Sequence, residues 1–383
     1  MKVLILSSNN GGGHNAVAAA LQECFTAHGD KCVIRDCLSF LSEKLSELVS
    51  CSHNYVYRHI PELFDSGYRR SEDNPLLFKE HHSVRNMIDL GRFALGKCIQ
   101  SEHFEVVLCT HVFAAMMLTA AKKQYGLTVR TGIVETDYGN TPGFADNEMD
   151  LHFLPDLSLV PELLAAGIDE SRIIASGIPV RRNLLTATDK TEARRILGLP
   201  PEHRHLLIMG GSMGCGPIPD LLNRLYAELD DTTQISVVCG SNARLQRSLA
   251  ADYRHLSNVH VLGYVTDMSL LYDSADLLVT KPGGITVTEA AIKALPMVLI
   301  NAVAGCEAHN LTFFLRKGGA VTGETIDELC TCSVSLLENQ ESLCQLSAAL
   351  RSFASQNAAE VIYAAMTAPG HSNANGENNP VHP

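Results

Sequence analysis

Short apolar runs alternate with longer segments of helical period along nearly the whole chain. In the first half the runs are Val3–Leu6, Cys32–Ile34, Val106–Cys109 and Thr131–Val134. In the second they are Leu206–Met209, Ile235–Val238, Val259–Leu262, Leu277–Val279 and Met297–Ile300. None shows the in/out alternation of a half-exposed strand, and strands buried on both faces of a parallel sheet read this way. The repeated strand–helix rhythm predicts an α/β protein built on parallel sheets. The two series are separated by Gly177-Ile178-Pro179-Val180 and a polar stretch to about Glu202 that carries Thr186, Thr188, Asp189, Lys190 and Pro200-Pro201. An interdomain linker belongs there, dividing the chain into residues 1–182 and 183–355. Segment 38–100 breaks the rhythm and reads as a helical insert in the first half. Residues 370–383, rich in Asn, Gly, His and Pro, predict a disordered tail.

Composition narrows the class. The 383 residues are enough for two or three domains, and 46% apolar with 19% charged residues suits a globular protein with a sizeable core. A formal net charge of −12 disfavours nucleic acid and any broad attraction to anionic membrane, though a local basic patch stays open. Twelve cysteines lie scattered, and the nearest pair, Cys330 and Cys332, lacks zinc-site spacing. Reduced thiols in a cytoplasmic protein are the expectation. The chain opens directly on a strand, without the pattern of a signal peptide. No apolar run approaches the roughly 20 residues of a membrane span, so membrane contact is expected to be peripheral.

Three glycine-rich turns follow strands and open helices. Ser7 through Gly11-Gly12-Gly13-His14 precedes a helix read as Asn15–His28, and three glycines exceed what a tight turn needs. They allow a ligand to approach a helix N-terminus, where free amides favour negative charge. His14 then sits at the carboxyl ends of the strands, where open α/β sheets bind ligands. Gly210-Gly211-Ser212-Met213-Gly214-Cys215-Gly216 makes the equivalent turn in the second half and places a helix N-terminus at Gly214. As a loose GxGxxG it is weak by itself. The next strand ends Val237-Val238-Cys239-Gly240-Ser241 with no acid for a ribose, which disfavours a dinucleotide but not a diphosphate. In Thr280-Lys281-Pro282-Gly283-Gly284-Ile285-Thr286 the turn opens a helix with Glu289 one turn in, able to accept both hydroxyls of a ribose. An isolated acid there is also explained by the helix dipole. Three such turns over two domains favour a ligand cleft.

These residues carry a resemblance. Gly263-Tyr264-Val265, Asp267-Met268, Asp276, Thr280 through Thr286, Glu289 and Pro296 resemble the GT-B glycosyltransferases of family 28. Gly11 through His14, Thr136-Asp137-Tyr138, Gly177 through Arg181, Val237 through Gly240, and Gly305, Glu307 and Asn310 are similar to its diacylglycerol-sugar branch, the monogalactosyldiacylglycerol synthases and processive diacylglycerol glucosyltransferases. The resemblance spans residues 1 to about 320. It implies two Rossmann-like domains facing a cleft, the first binding acceptor and the second UDP-sugar, with residues 356–369 as a C-terminal helix packing back on the first.

It also implies roles. Val265 would bond the uracil through its backbone and Tyr264 would line the base pocket. Glu289 would bind the ribose. Gly211, Ser212, Met213, Gly214, Gly283, Gly284, Ile285 and Thr286 would hold the diphosphate. Cys306, Glu307 and Asn310 would lie beside the donor sugar. His14 and Asp137 would face the acceptor hydroxyl, with Gly12, Gly13, Thr136 and Tyr138 on the acceptor side. Cys306 stands where the family commonly has Gln, and a thiol is a poor hydrogen-bonding group, so glucose, galactose and N-acetylglucosamine all stay open as donor sugar.

The implied chemistry is inverting transfer without an essential metal or cofactor. His14 suits the general base, since imidazole with a pKa of about 6.5 accepts a proton at neutral pH. Asp137 would orient it or act as base itself. A helix-terminal histidine that merely bonds a neighbour is the competing reading. The insert segment 38–70, with Phe40, Leu45, Tyr55, Tyr57, Arg58, Arg69 and Arg70 among acidic neighbours, reads equally as a membrane-docking face toward a lipid acceptor or as a stripe packed on the sheet. A different acceptor, a UDP-N-acetylglucosamine 2-epimerase on the same fold, and a non-catalytic UDP-sugar binder are the alternatives. Oligomeric state is not legible.

Overall fold

The computed structural model describes residues 1–9, 12–41, 83–139, 141–300, 305–355 and 357–369. Gly11, most of segment 38–70 and the tail 370–383 lie outside them.

Two six-stranded sheets, parallel throughout, form the two halves. The first contains β1 (Lys2–Ser7), β2 (Lys31–Asp36), β3 (Val106–Cys109), β4 (Arg130–Val134), β5 (Leu151–Leu154) and β6 (Ile173–Ala175), in the order β2-β1-β3-β4-β5-β6. The second contains β7 (His205–Met209), β8 (Gln234–Val238), β9 (Val259–Leu262), β10 (Leu277–Thr280), β11 (Met297–Leu299) and β12 (Ala320–Thr322), in the order β12-β11-β10-β7-β8-β9. The apolar runs become strands because helices cover both faces: β1, β3, β7 and β10 are buried almost end to end. Alternate residues of one strand feed different cores. Val3 and Ile5 face one cluster, Leu4 and Leu6 the other.

Three strands were not among the predicted runs. β5 carries a histidine, His152, in its four residues, and β6 and β12 are three residues each with partly exposed side chains. The histidine interrupts the apolar run of β5, and β6 and β12 are sheet-edge strands that need no continuous apolar run. The first helix spans Gly12–Ala27, three residues earlier than read. After β7 the helix begins only at Ile218, so Gly214 sits in an irregular loop and offers no helix N-terminus. Its amide bonds back to the Gly211 carbonyl at 3.1 Å.

The halves are joined twice. The chain leaves β6 through Gly177–Leu185, and the helix Lys190–Ile196, capped by Asp189, docks on the second half where Arg194 donates to the Ser274 carbonyl at 3.0 Å. It returns near Asn357, and the helix Ala358–Thr367 lies on the first half. There Ile362 and Met366 are buried, and the Arg130 guanidinium donates to the carbonyls of Ala365 (2.8 Å) and Ala368 (3.0 Å). Of segment 38–100, the described part holds a 3₁₀ turn at Cys37–Phe40 and helices Ser83–Asp89 and Arg92–Ser101. The eleven cysteines among the described residues are free thiols. Among the described residues, no helix is long and apolar enough to cross a membrane.

Candidate active site

Each sheet order has one reversal, between β1 and β3 in the first half and between β7 and β10 in the second. Loops diverge at such points and leave a crevice at the carboxyl ends of the strands. The two crevices face each other and form one cavity of about 690 Å³. Four helix N-termini open onto it, those of Gly12–Ala27, Val112–Tyr125, Gly284–Ile292 and Cys306–Lys317, so the positive ends of four dipoles converge on one space.

On the first half, His14 lines the cavity. Its Nδ1 lies 2.7 Å from the Thr110 carbonyl oxygen, which can only accept, so Nδ1 carries the hydrogen and Nε2 the lone pair. The His111 ring meets it edge-on at 4.7 Å. Burial lowers the His14 pKa below 6.5 despite the opposing pull of Asp137, and the ring is neutral at neutral pH. Thr136 Oγ1 lies 3.2 Å from His14 Nδ1 and donates at 3.5 Å to Asp137 Oδ2. Asp137 therefore reaches the imidazole through Thr136, not directly. Its Oδ1 accepts from Asn310 Nδ2 of the second half at 2.7 Å.

Glu135 directly follows β4 and lines the cavity, although it is 2% exposed. It accepts from the Thr136 amide at 3.0 Å, the Thr141 hydroxyl at 2.8 Å and the Thr141 amide at 3.2 Å. Burial, reinforced by Asp137, pushes its carboxyl up to about 8 against those donors. On the second half, Tyr272 donates its hydroxyl to Glu289 at 2.9 Å, and burial raises the Glu289 carboxyl to about 7. Lys281 and Glu307 pair at 3.1 Å with both side chains nearly covered, placing one cation and one carboxylate at the cavity wall. Burial, with Asp137 and Glu307 near, holds the Cys306 thiol far above its ordinary range, so it is no nucleophile at neutral pH.

A family model described as monogalactosyldiacylglycerol (MGDG) synthase matches residues 14–180, and the glycosyltransferase family 28 C-terminal domain matches residues 205–323. The chain is a glycosyltransferase whose second half carries the family 28 C-terminal domain. The transferase is 28% identical over 344 residues to a processive diacylglycerol beta-glucosyltransferase of Bacillus pumilus, covering 89% of this chain and 88% of that one. The protein of the same name from Bacillus subtilis is 27% identical over 94% of this chain and 93% of its own. Among solved structures, MurG of Acinetobacter baumannii superposes with a TM-score of 0.65 at 16% identity, covering 95% of this chain and 98% of that one. A UDP complex of MnaA from S. aureus does so with 0.62 at 14% identity, covering 94% of each. These establish the two-domain GT-B fold.

The cleft of the transferase gathers most of the residues singled out by sequence. Gly12, Gly13, His14, Thr136, Asp137, Gly211, Ser212, Met213, Tyr264, Val265, Gly283, Gly284, Ile285, Thr286, Glu289, Cys306 and Glu307 all line it. Three do not. Gly214 lies in the turn behind Gly211. Asn310 is fully buried, with its amide nitrogen bonded to Asp137 Oδ1 and to the Pro282 carbonyl (2.9 Å) and its oxygen accepting from the Tyr138 amide (2.6 Å). It has no hydrogen left for a sugar. Tyr138 is 4% exposed, stacks on Phe313 at 4.3 Å and bonds Thr288 through its hydroxyl at 2.9 Å, so it belongs to the core joining the halves and not to an acceptor surface. Sequence reasoning gave no role to Glu135, Lys281 or Arg181, which the cavity also exposes. The signal was available for two of them: each stands at or next to a strand's carboxyl end.

Proposed function

We propose that the transferase moves a hexose from a UDP-sugar to a hydroxyl of a diacylglycerol-like lipid with inversion at the anomeric carbon. One arrangement carries the reading: a neutral imidazole with its Nε2 lone pair in reserve shares a cavity with the helix N-terminus at Gly284 and the carboxyl of Glu289. The acceptor oxygen attacks the anomeric carbon while its proton passes to His14 Nε2. The bond from that carbon to the diphosphate breaks, and UDP leaves with the electron pair. Amides at Gly284 and Ile285, with Lys281, meet the charge growing on the diphosphate, and their orientation is fixed before the reaction begins. Glu289 takes the ribose hydroxyls, and Val265 and Tyr264 flank the base. This scheme requires no divalent metal. The relatives' names support the lipid acceptor, and a lipid acceptor implies work at the inner membrane face by a peripheral protein.

Incubation with a panel of UDP-sugars and diacylglycerol in anionic vesicles, in EDTA, should yield glycosyl-diacylglycerol by mass spectrometry. A changed sugar in the absence of acceptor would move the assignment to an epimerase, and transfer only to soluble or polyprenyl-linked acceptors would remove the diacylglycerol. Glu289→Ala should weaken UDP binding about 10- to 100-fold, the effect of losing a charge-assisted pair of hydrogen bonds. The unliganded carboxyl titrates near 7, and only its ionised form accepts two hydroxyls. Going from pH 8 to 6 should therefore cost the wild type more affinity than the variant. Calorimetry that finds equal affinities would refute the ribose role.

A further inference from the structure

A second cluster of ligating side chains lies at the C-terminal end of the first helix, outside the lining of the cleft. Cys24 and His28 stand four residues apart, one helical turn, and project from one face of Gly12–Ala27 and its last turn. The His28 amide still donates to the Cys24 carbonyl at 3.2 Å, so the helical spacing persists to His28. Glu360 reaches across from the C-terminal helix Ala358–Thr367 and meets His28 Nε2 with its Oε2 at 2.8 Å. One sulfur, one nitrogen and one carboxylate oxygen lie within 4.8 Å of one another. The His28 ring is held in orientation by Tyr363, stacked on it at 3.9 Å. Beside the three ligands is a separate cavity of about 310 Å³, bordered by Glu23, Arg182 and Asn357.

We propose that Cys24, His28 and Glu360 form a zinc site that ties the C-terminal helix to the helix bearing His14. Thiolate, imidazole and carboxylate are a donor set that suits Zn²⁺, and an i,i+4 pair from one helix completed by a residue from another is a standard way to supply three ligands. Tetrahedral bond lengths place such donors about 3.4 to 3.6 Å apart. The histidine–carboxylate contact must open by about half an ångström, and no separation has to close by more than about an ångström, since all three atoms lie within 4.8 Å of one another. Both His28 and Glu360 are exposed enough for that movement, whereas Cys24, 8% exposed, is the fixed point. Binding replaces the thiol hydrogen, which leaves as a proton to solvent. Water from the adjoining cavity fills the fourth position. The site stands where both chain connections between the halves pass, since Val180, Arg182, Leu185 and Asn357 border the same cavity.

The full-length chain, stripped with EDTA and reloaded with Co²⁺, tests this. One cobalt per chain should give a thiolate-to-cobalt charge-transfer band in the near ultraviolet and a visible spectrum of tetrahedral intensity, and Zn²⁺ should displace it and raise Tm. Cys24→Ala should lose the charge-transfer band while keeping the fold. Glu360→Gln, a surface change that leaves folding intact, should weaken cobalt binding about tenfold or more. No band in the wild type, an undiminished band in Cys24→Ala, or unchanged affinity in Glu360→Gln each reduces the cluster to an ion pair beside a thiol and overturns the proposal.

Discussion

His14→Ala should lower turnover by about 10²-fold or more, the usual contribution of a positioned general base, while UDP binds as before. The separation of effects follows from the geometry. His14 belongs to the first half, with its Nδ1 on the Thr110 carbonyl, and the groups assigned to the nucleotide all belong to the second. The pH profile carries a second mark. A base works unprotonated, and burial lowers the pKa of this ring. The acid limb of kcat at saturating UDP-sugar, where Glu289 is already engaged, should therefore fall below pH 6.5, the ordinary imidazole value, and should vanish in His14→Ala. Turnover that survives the substitution intact would pass the role to Asp137, whose carboxylate stands one hydroxyl away.

Gly284→Ala should cost about as much by a different route. A Cβ on Gly284 would collide with the Thr136 carbonyl oxygen and stand 2.7 Å from Asp137 Oδ1, both on the opposite half. Neither neighbour can move aside cheaply: the carbonyl belongs to the backbone leaving β4, and Asp137 is held by Asn310. The halves must separate instead. A shift of about an ångström between base and donor lowers the rate about 10²-fold. Each half keeps one core wholly its own, so far-ultraviolet circular dichroism should stay unchanged. Wild-type kcat/KM in Gly284→Ala would mean that the reacting state does not use this contact.

The two-sheet architecture was legible because β1, β3, β7 and β10 lie inside their sheets, paired on both sides, and carry unbroken apolar runs. β5 was missed because a histidine interrupts its run, and β6 and β12 because they close the edges of their sheets with partly exposed side chains. Among site residues, those on glycine-rich turns were readable since the backbone there must approach a ligand. Asn310 and Tyr138 were placed in the cleft because their neighbours in sequence are there. Only the packing of one half on the other reveals that the asparagine bonds three groups of the joint and that the tyrosine stacks in it. Glu135 escaped because its distinguishing property, a carboxyl sealed among threonine donors, depends on Thr141 folding back over it.

The double crossing between the halves has a mechanical consequence. Gly177–Leu185 on the outward path and the residues around Asn357 on the return path run side by side at one edge of the molecule. Two tethers set close together act like the pins of a door: they resist sliding and lengthwise separation, and leave swing about one line as the soft motion.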